Sequence, residues 1–163
     1  MDAGCGFGHL AKYLGHCDYT GVDTDPERVE WARKRLGENS RRRFLVANVL
    51  QTGLPEKGFD KALGYGLLHH LQDEEAAACV LELSRLTKGR IVFSDPVYSK
   101  VHLLNNLLCR LDRGAFVRTE QGYLDILKRR LTVAAHRSFH SRNGLAKYFM
   151  TVSTPLVGDA VAA

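Results

Sequence analysis

The chain has 163 residues, 45% of them hydrophobic and 25% charged, with a formal net charge of +5. That length suits one domain with a sizeable core, and the two fractions are those of a globular protein, not a disordered or fibrous one. No apolar run approaches the ~20 residues of a membrane span, and no basic-then-apolar leader precedes the first glycines, so neither a membrane span nor export is expected.

In chain order, "MDAGCGFGH" places Gly4, Gly6 and Gly8 at alternate positions. They read as a tight turn running into a helix with Leu10, Tyr13 and Leu14 on its buried face. "YTGVD", Tyr19 to Asp23, reads as a strand ending in an acid. "PERVEWARKRLG" reads as a helix with Pro26 in its first turn, Val29, Ala32, Arg33 and Leu36 at helical spacing, and Gly37 as its stop. Trp31 is expected to pack beneath it. "RFLVANV", Arg43 to Val49, and "KALGYG", Lys61 to Gly66, read as strands. "DEEAAACVLELSRLTKG" reads as a helix starting at Asp73, with Ala77, Val80, Leu81 and Leu83 as its apolar face, and "RIVFSDP", Arg90 to Pro96, as a strand closed by proline. "LTVAAHRSF" and "AKYFMTVST" are both β-like, and the short link with its Asn143-Gly144 turn signal can join them only as an antiparallel pair.

Strands alternating with helices predict an α/β fold, a doubly wound, mostly parallel sheet that ends in an antiparallel hairpin. The whole chain, 1–163, is expected to form one domain. The positive charge is densest in Arg41-Arg42-Arg43 and Lys128-Arg129-Arg130. No aromatic residues interleave with either run, so both read as solvated edges and nucleic acid is not expected as a partner. Cys5, Cys17, Cys79 and Cys109 lie far apart without a CxxC pair. That speaks against zinc and a disulfide framework, and predicts reduced thiols in the cytoplasm.

In such a sheet, ligands bind beyond the carboxyl ends of the strands, near the first strand-to-helix turn. Glycines there bare the backbone, and Asp23, closing the next strand, can accept both hydroxyls of a ribose. A nucleoside-bearing cofactor is therefore expected. A nicotinamide dinucleotide wants GxGxxG; here the glycines follow GxGxG and position 9 is His9. S-adenosylmethionine carries no phosphate and wants an acid just before the glycines, where Asp2 stands.

On "DAGCGFG", "GVDTDPERVEWARKR", "FLVANVLQTGLPEKGFDKALGYGLLHHLQDEE" and "LTKGRIVFSDP", the sequence resembles the class I S-adenosylmethionine-dependent methyltransferases, over roughly Met1 to Pro96. The resemblance implies a Rossmann-like sheet and S-adenosyl-L-methionine as cofactor. It places Asp2, Gly4, Cys5 and Gly6 at the methionine part and Asp23 at the ribose, with Thr24 beside it. Asn48 and Val49 approach adenine, and Tyr65-Gly66 line the edge near the sulfonium. Many relatives carry aspartate where this chain has Asn48, and Phe7 replaces a commoner small residue.

The function this implies is methyl transfer to a small-molecule or lipid-like acceptor by in-line displacement, a reaction in which the protein aligns the acceptor and excludes water. A non-catalytic module that keeps the methyltransferase fold, or an NAD(P)-dependent oxidoreductase, are the alternatives. His69 is the candidate general base, with His70 expected to pack inward; a purely structural role for both histidines is the competing reading. Residues 97–118 could cap the acceptor pocket or form a helix packed on the sheet. Leu104, Leu107, Leu108 and Leu111 share a helical face there, Tyr98 and His102 could reach the pocket, and Arg113 and Arg118 could bind an acidic acceptor. Only Met1 and Asp2 precede the turn, where a central strand usually runs about 5–6 residues; the first strand is expected to be truncated, with a leading segment missing.

Overall fold

A computed structural model describes residues 1–98, 105–107, 109, 115–142 and 144–156. Its strands are β1 (Asp2–Ala3), β2 (Tyr19–Asp23), β3 (Arg42–Val46), β4 (Ala62–Tyr65), β5 (Ile91–Pro96), β6 (Leu131–His140) and β7 (Lys147–Pro155). All seven join one sheet in the order β3-β2-β1-β4-β5-β7-β6. Pairings from β3 to β5 are parallel, and β7 runs antiparallel to both β5 and β6. The expected α/β sheet with an antiparallel terminal hairpin is therefore the observed one.

Helices α1 (Pro26–Leu36), α2 (Asp73–Leu86) and α3 (Glu120–Leu127) flank it. α1 starts where Asp25 accepts the N–H groups of Glu27 and Arg28 and Pro26 sets the first turn, and it stops at Gly37, φ +72°;. Val29 and Ala32 enter a small core with Cys5, Ala11, Tyr19 and Phe44. The larger core joins α2 and α3 to the middle of the sheet through Leu83, Leu86, Ile91, Phe93, Leu127 and Phe149.

Several expectations are corrected. The helix after the glycines is only a 3-10 turn, Ala11–Tyr13. Six residues separate Gly8 from Gly15, too few to repay helix nucleation, and Tyr13 is 69% exposed while Ala11 is buried. β3 ends at Val46, short of the expected Val49, because the Asn48 side chain accepts the Leu50 N–H and turns the chain;. The buried stripe of α2 runs through Ala76, Cys79, Val80, Leu83 and Leu86. Leu81, assigned to that face, is exposed, being about 100° round the helix from Val80. Trp31 is also exposed and meets Phe7 edge-on at 5.3 Å.

In the segment 97–118, Val97, Asn105, Cys109 and Val117 are buried while Leu107 is exposed; Leu104, Leu108, Leu111, His102 and Arg113 lie outside the described residues. All four cysteines are free thiols. Among the described residues no helix is long and apolar enough to cross a membrane.

Candidate functional site

The carboxyl ends of β3, β2, β1 and β4 stand side by side, and the residues singled out in the sequence gather there. The turn after β1 is built on three left-handed glycines, Gly4 at φ +69°, Gly6 at +51° and Gly8 at +69°. Gly6 and Gly8 serve different ends. A Cβ on Gly8 would stand 2.8 Å from both Leu36 Cδ1 and Phe44 Cε1, so Gly8 lets the loop close on the small core. A Cβ on Gly6 would meet nothing within 4 Å. Gly6 therefore presents bare backbone to open space, as a site that admits a ligand requires.

Asp23 holds this loop. Its Oδ2 accepts the Gly6 N–H at 2.7 Å and its Oδ1 accepts the Asp25 N–H at 3.0 Å. The carboxylate is 8% exposed. Each oxygen has a further lone pair, so the group can organise the loop and still accept two ribose hydroxyls. Thr24, next in sequence, is exposed. Asp23 also ties in the end of β3, since its carbonyl accepts the Ala47 N–H at 3.0 Å, just before Asn48 and Val49. Asn48 is exposed and Val49 buried. The Asn48 Oδ1 already takes the Leu50 N–H at 2.9 Å.

Asp2 lies beneath the glycine turn. It is 2% exposed and accepts the Tyr19 hydroxyl at 2.5 Å. Burial raises its pKa to about 6, and the bond from Tyr19 offsets part of that rise. Burial likewise pushes the Cys5 thiol up to about 12, so Cys5 offers the site its backbone and not a thiolate.

On the other flank, Gly66 follows β4 at φ +63° and its N–H donates to the Ser94 carbonyl at 2.8 Å. Tyr65, just before it, is 49% exposed. His69 and His70 take the reverse of their expected environments. His69 is 4% exposed, and both its amide and its Nδ1 meet Asp95 Oδ1, at 3.1 and 2.8 Å; His70 is exposed.

Arg118 explains that orientation. It donates to the carbonyls of Leu68 at 2.8 Å and Leu71 at 2.7 Å, bracketing both histidines, and it pairs with Asp73 at 2.7 Å. Its side chain is 9% exposed. A guanidinium so fully engaged is a clamp on the turn, which corrects the expectation that it could bind an acidic acceptor. Neither Asp95 nor Tyr19 was singled out in the sequence. Asp95 is the penultimate residue of β5, just before Pro96, a position that could have marked it, whereas the Tyr19–Asp2 contact joins two strands and leaves no local signal. A shallow cavity lined by Leu14, Cys17, Asn39 and Arg41 sits at the amino ends of β2 and β3, opposite this cluster, where a doubly wound sheet does not place its ligand.

Comparison with known proteins agrees in fold and motif. A family described as "Methyltransferase domain" matches residues 1–90. An uncharacterised methyltransferase of Mycobacterium tuberculosis is 38% identical over 88 residues, covering 53% of this chain and 42% of that protein. The chain thus spans about half the length, or less, of such curated relatives. Among solved structures, a SAM-dependent methyltransferase of Methanosarcina mazei superposes with a TM-score of 0.76 at 19% identity, covering 96% of this chain and 92% of that one. The magnesium protoporphyrin IX methyltransferase of Synechocystis, with bound SAH, gives 0.71 at 22% identity, covering 95% and 72%.

Proposed function

Since the chain belongs to the methyltransferase domain family, we propose that it binds S-adenosylmethionine at this edge and transfers its methyl group to a small-molecule or lipid-like acceptor. The observation that carries the reading is the pairing of Gly6 with Asp23. One carboxylate shapes a bare glycine turn and keeps lone pairs for two hydroxyls. His9 stands where a dinucleotide-binding turn has its third glycine;.

When bound, the cofactor supplies a methyl group already activated on a sulfonium. The work left to the chain is to orient and exclude water. Asp23 anchors the ribose; Gly4 and Gly6 admit the methionine part, with Asp2 beneath them; Asn48 and Val49 border the adenine. Tyr65 presents an electron-rich ring at the sulfonium edge, favourable for a cationic sulfur. For a hydroxyl acceptor, His69 is the base we assign. The Asp95 carboxylate fixes the imidazole through Nδ1, and the ring's burial there makes a structural role for the turn the second reading;. The four cysteines, none of them in a disulfide, fit a cytoplasmic location;.

Calorimetric titration with S-adenosylhomocysteine tests the reading. Binding to the unmodified chain, with a large loss in Asp23→Ala, is expected. Thermal stabilisation by NAD alone would overturn it, and binding without turnover on any acceptor would favour a non-catalytic module.

A further inference from the structure

Tyr65 does not stand alone. Its ring stacks on Tyr148 with centroids 6.1 Å apart and planes 10° from parallel, and Tyr148 stacks on Phe139 at 5.8 Å and 18°. The strand register explains the row. Tyr65 pairs with Ser94, Pro96 pairs with Tyr148, and Tyr148 pairs with Phe139. Ser94 and Pro96 are two apart on β5, so all five positions share one face of the sheet. Because β7 is antiparallel, its first residues lie at the carboxyl end of β5, and the three rings occupy the same edge as the glycine turn. Ser94 and Pro96, both small, let the rings of the flanking strands meet above β5.

The far end of the row is cationic. From residue 126 to residue 158 the chain has no Asp or Glu; Arg137, Arg142 and Lys147 lie toward this edge, whereas Lys128, Arg129 and Arg130 precede β6 at the opposite one. Glu120, from α3, pairs with Lys147 at 2.7 Å. The exposed Arg137 places its guanidinium 5.9 Å from the Phe139 centroid and makes no ion pair among the described residues. Aromatic rows on a sheet often serve cross-strand packing alone. This one begins half-exposed beside Gly66 and ends at an unpaired cation, so it is graded in charge as a packing ladder need not be.

Resting on the methyltransferase reading above, we propose that the methyl acceptor is a planar aromatic anion lying along Tyr65, Tyr148 and Phe139. Its reacting atom faces Gly66, and its carboxylate or equivalent charge faces Arg137. Edge contacts along the row favour a flat aromatic body, and the acid-free hairpin draws in and orients the negative end.

The test uses 6-hydroxy-2-naphthoate, which is fluorescent and carries a hydroxyl and a carboxylate at opposite ends, with neutral 2-naphthol as its charge control. Both are titrated into the chain saturated with S-adenosylhomocysteine. Tyr148→Leu, which keeps an apolar side chain in the strand, should weaken both probes about tenfold. Arg137→Gln, at an exposed position, should weaken the naphthoate about fivefold and leave naphthol unchanged. Failure of the naphthoate to bind, or binding indifferent to both substitutions, overturns the inference. Parallel calorimetry separates the two levels. If S-adenosylhomocysteine itself does not bind, the methyltransferase reading falls and takes this inference with it. If it binds and the naphthoate ignores Tyr148 and Arg137, only the acceptor inference falls.

Discussion

Asp23 Oδ2 accepts the Gly6 N–H at 2.7 Å, so the acid that closes β2 fastens the glycine turn that closes β1. One side chain thereby does two jobs, and substitutions can separate them. Asp23→Asn keeps one carbonyl oxygen for the loop but loses charge and one acceptor. It should weaken S-adenosylhomocysteine binding about tenfold or more, while Asp23→Ala, which also frees the loop, should lose more. Equal affinities by calorimetry would remove Asp23 from the site.

Gly6→Ala and Gly8→Ala should part company in a urea melt. Both residues have positive φ, and strain alone costs about 1 kcal/mol. Only at Gly8 does the new methyl collide with Leu36 and Phe44, each 2.8 Å away. A further loss of about 1–3 kcal/mol from overpacking is expected there. Gly6→Ala should stay near the strain cost and show its effect in cofactor binding.

Asp2 makes stability depend on pH. Its folded-state pKa of about 6 lies above the ordinary aspartate value of 3.8, chiefly because of burial. The native state therefore holds a proton that the unfolded state has already released between those values, and stability falls as pH rises through that window. The cost is absent below about pH 4, complete above about pH 6, and of order 3 kcal/mol. Asp2→Asn should flatten this part of the stability-versus-pH curve and raise stability at pH 7. On the proposed role of Asp2 beneath the methionine part, the same change should weaken S-adenosylhomocysteine binding.

Arg118→Ala should destabilise by about 2–4 kcal/mol, because the Leu68 and Leu71 carbonyls and the Asp73 carboxylate lose a shared donor. Arg118→Lys should rescue little of it, since a single ammonium cannot span the same fork. Chemical denaturation measures both. If His69 acts as base, Arg118→Ala should also shift the pH profile of turnover, through the turn that orients the imidazole.

What the sequence determined by itself is whatever depends on neighbours along the chain. The alternating glycines with Asp23, the caps of α1 at Asp25 and Gly37, the strand–helix rhythm and the Asn143-Gly144 turn signal between β6 and β7 all act over a few residues, and they sufficed for the sheet and for the edge at which we propose the cofactor binds. The fate of a side chain near an element's end was decided by the tertiary structure, because it depends on partners dozens of residues away. Arg118 becomes a clamp because Leu68, Leu71 and Asp73 come within reach of it. His69 turns inward because Asp95, near the end of β5, stands beside it, and Tyr13 and Trp31 remain exposed because no element among the described residues packs over them. Tyr65, Tyr148 and Phe139 form one row only because β7 runs antiparallel beside β5, which brings three strands' aromatic residues to a single edge.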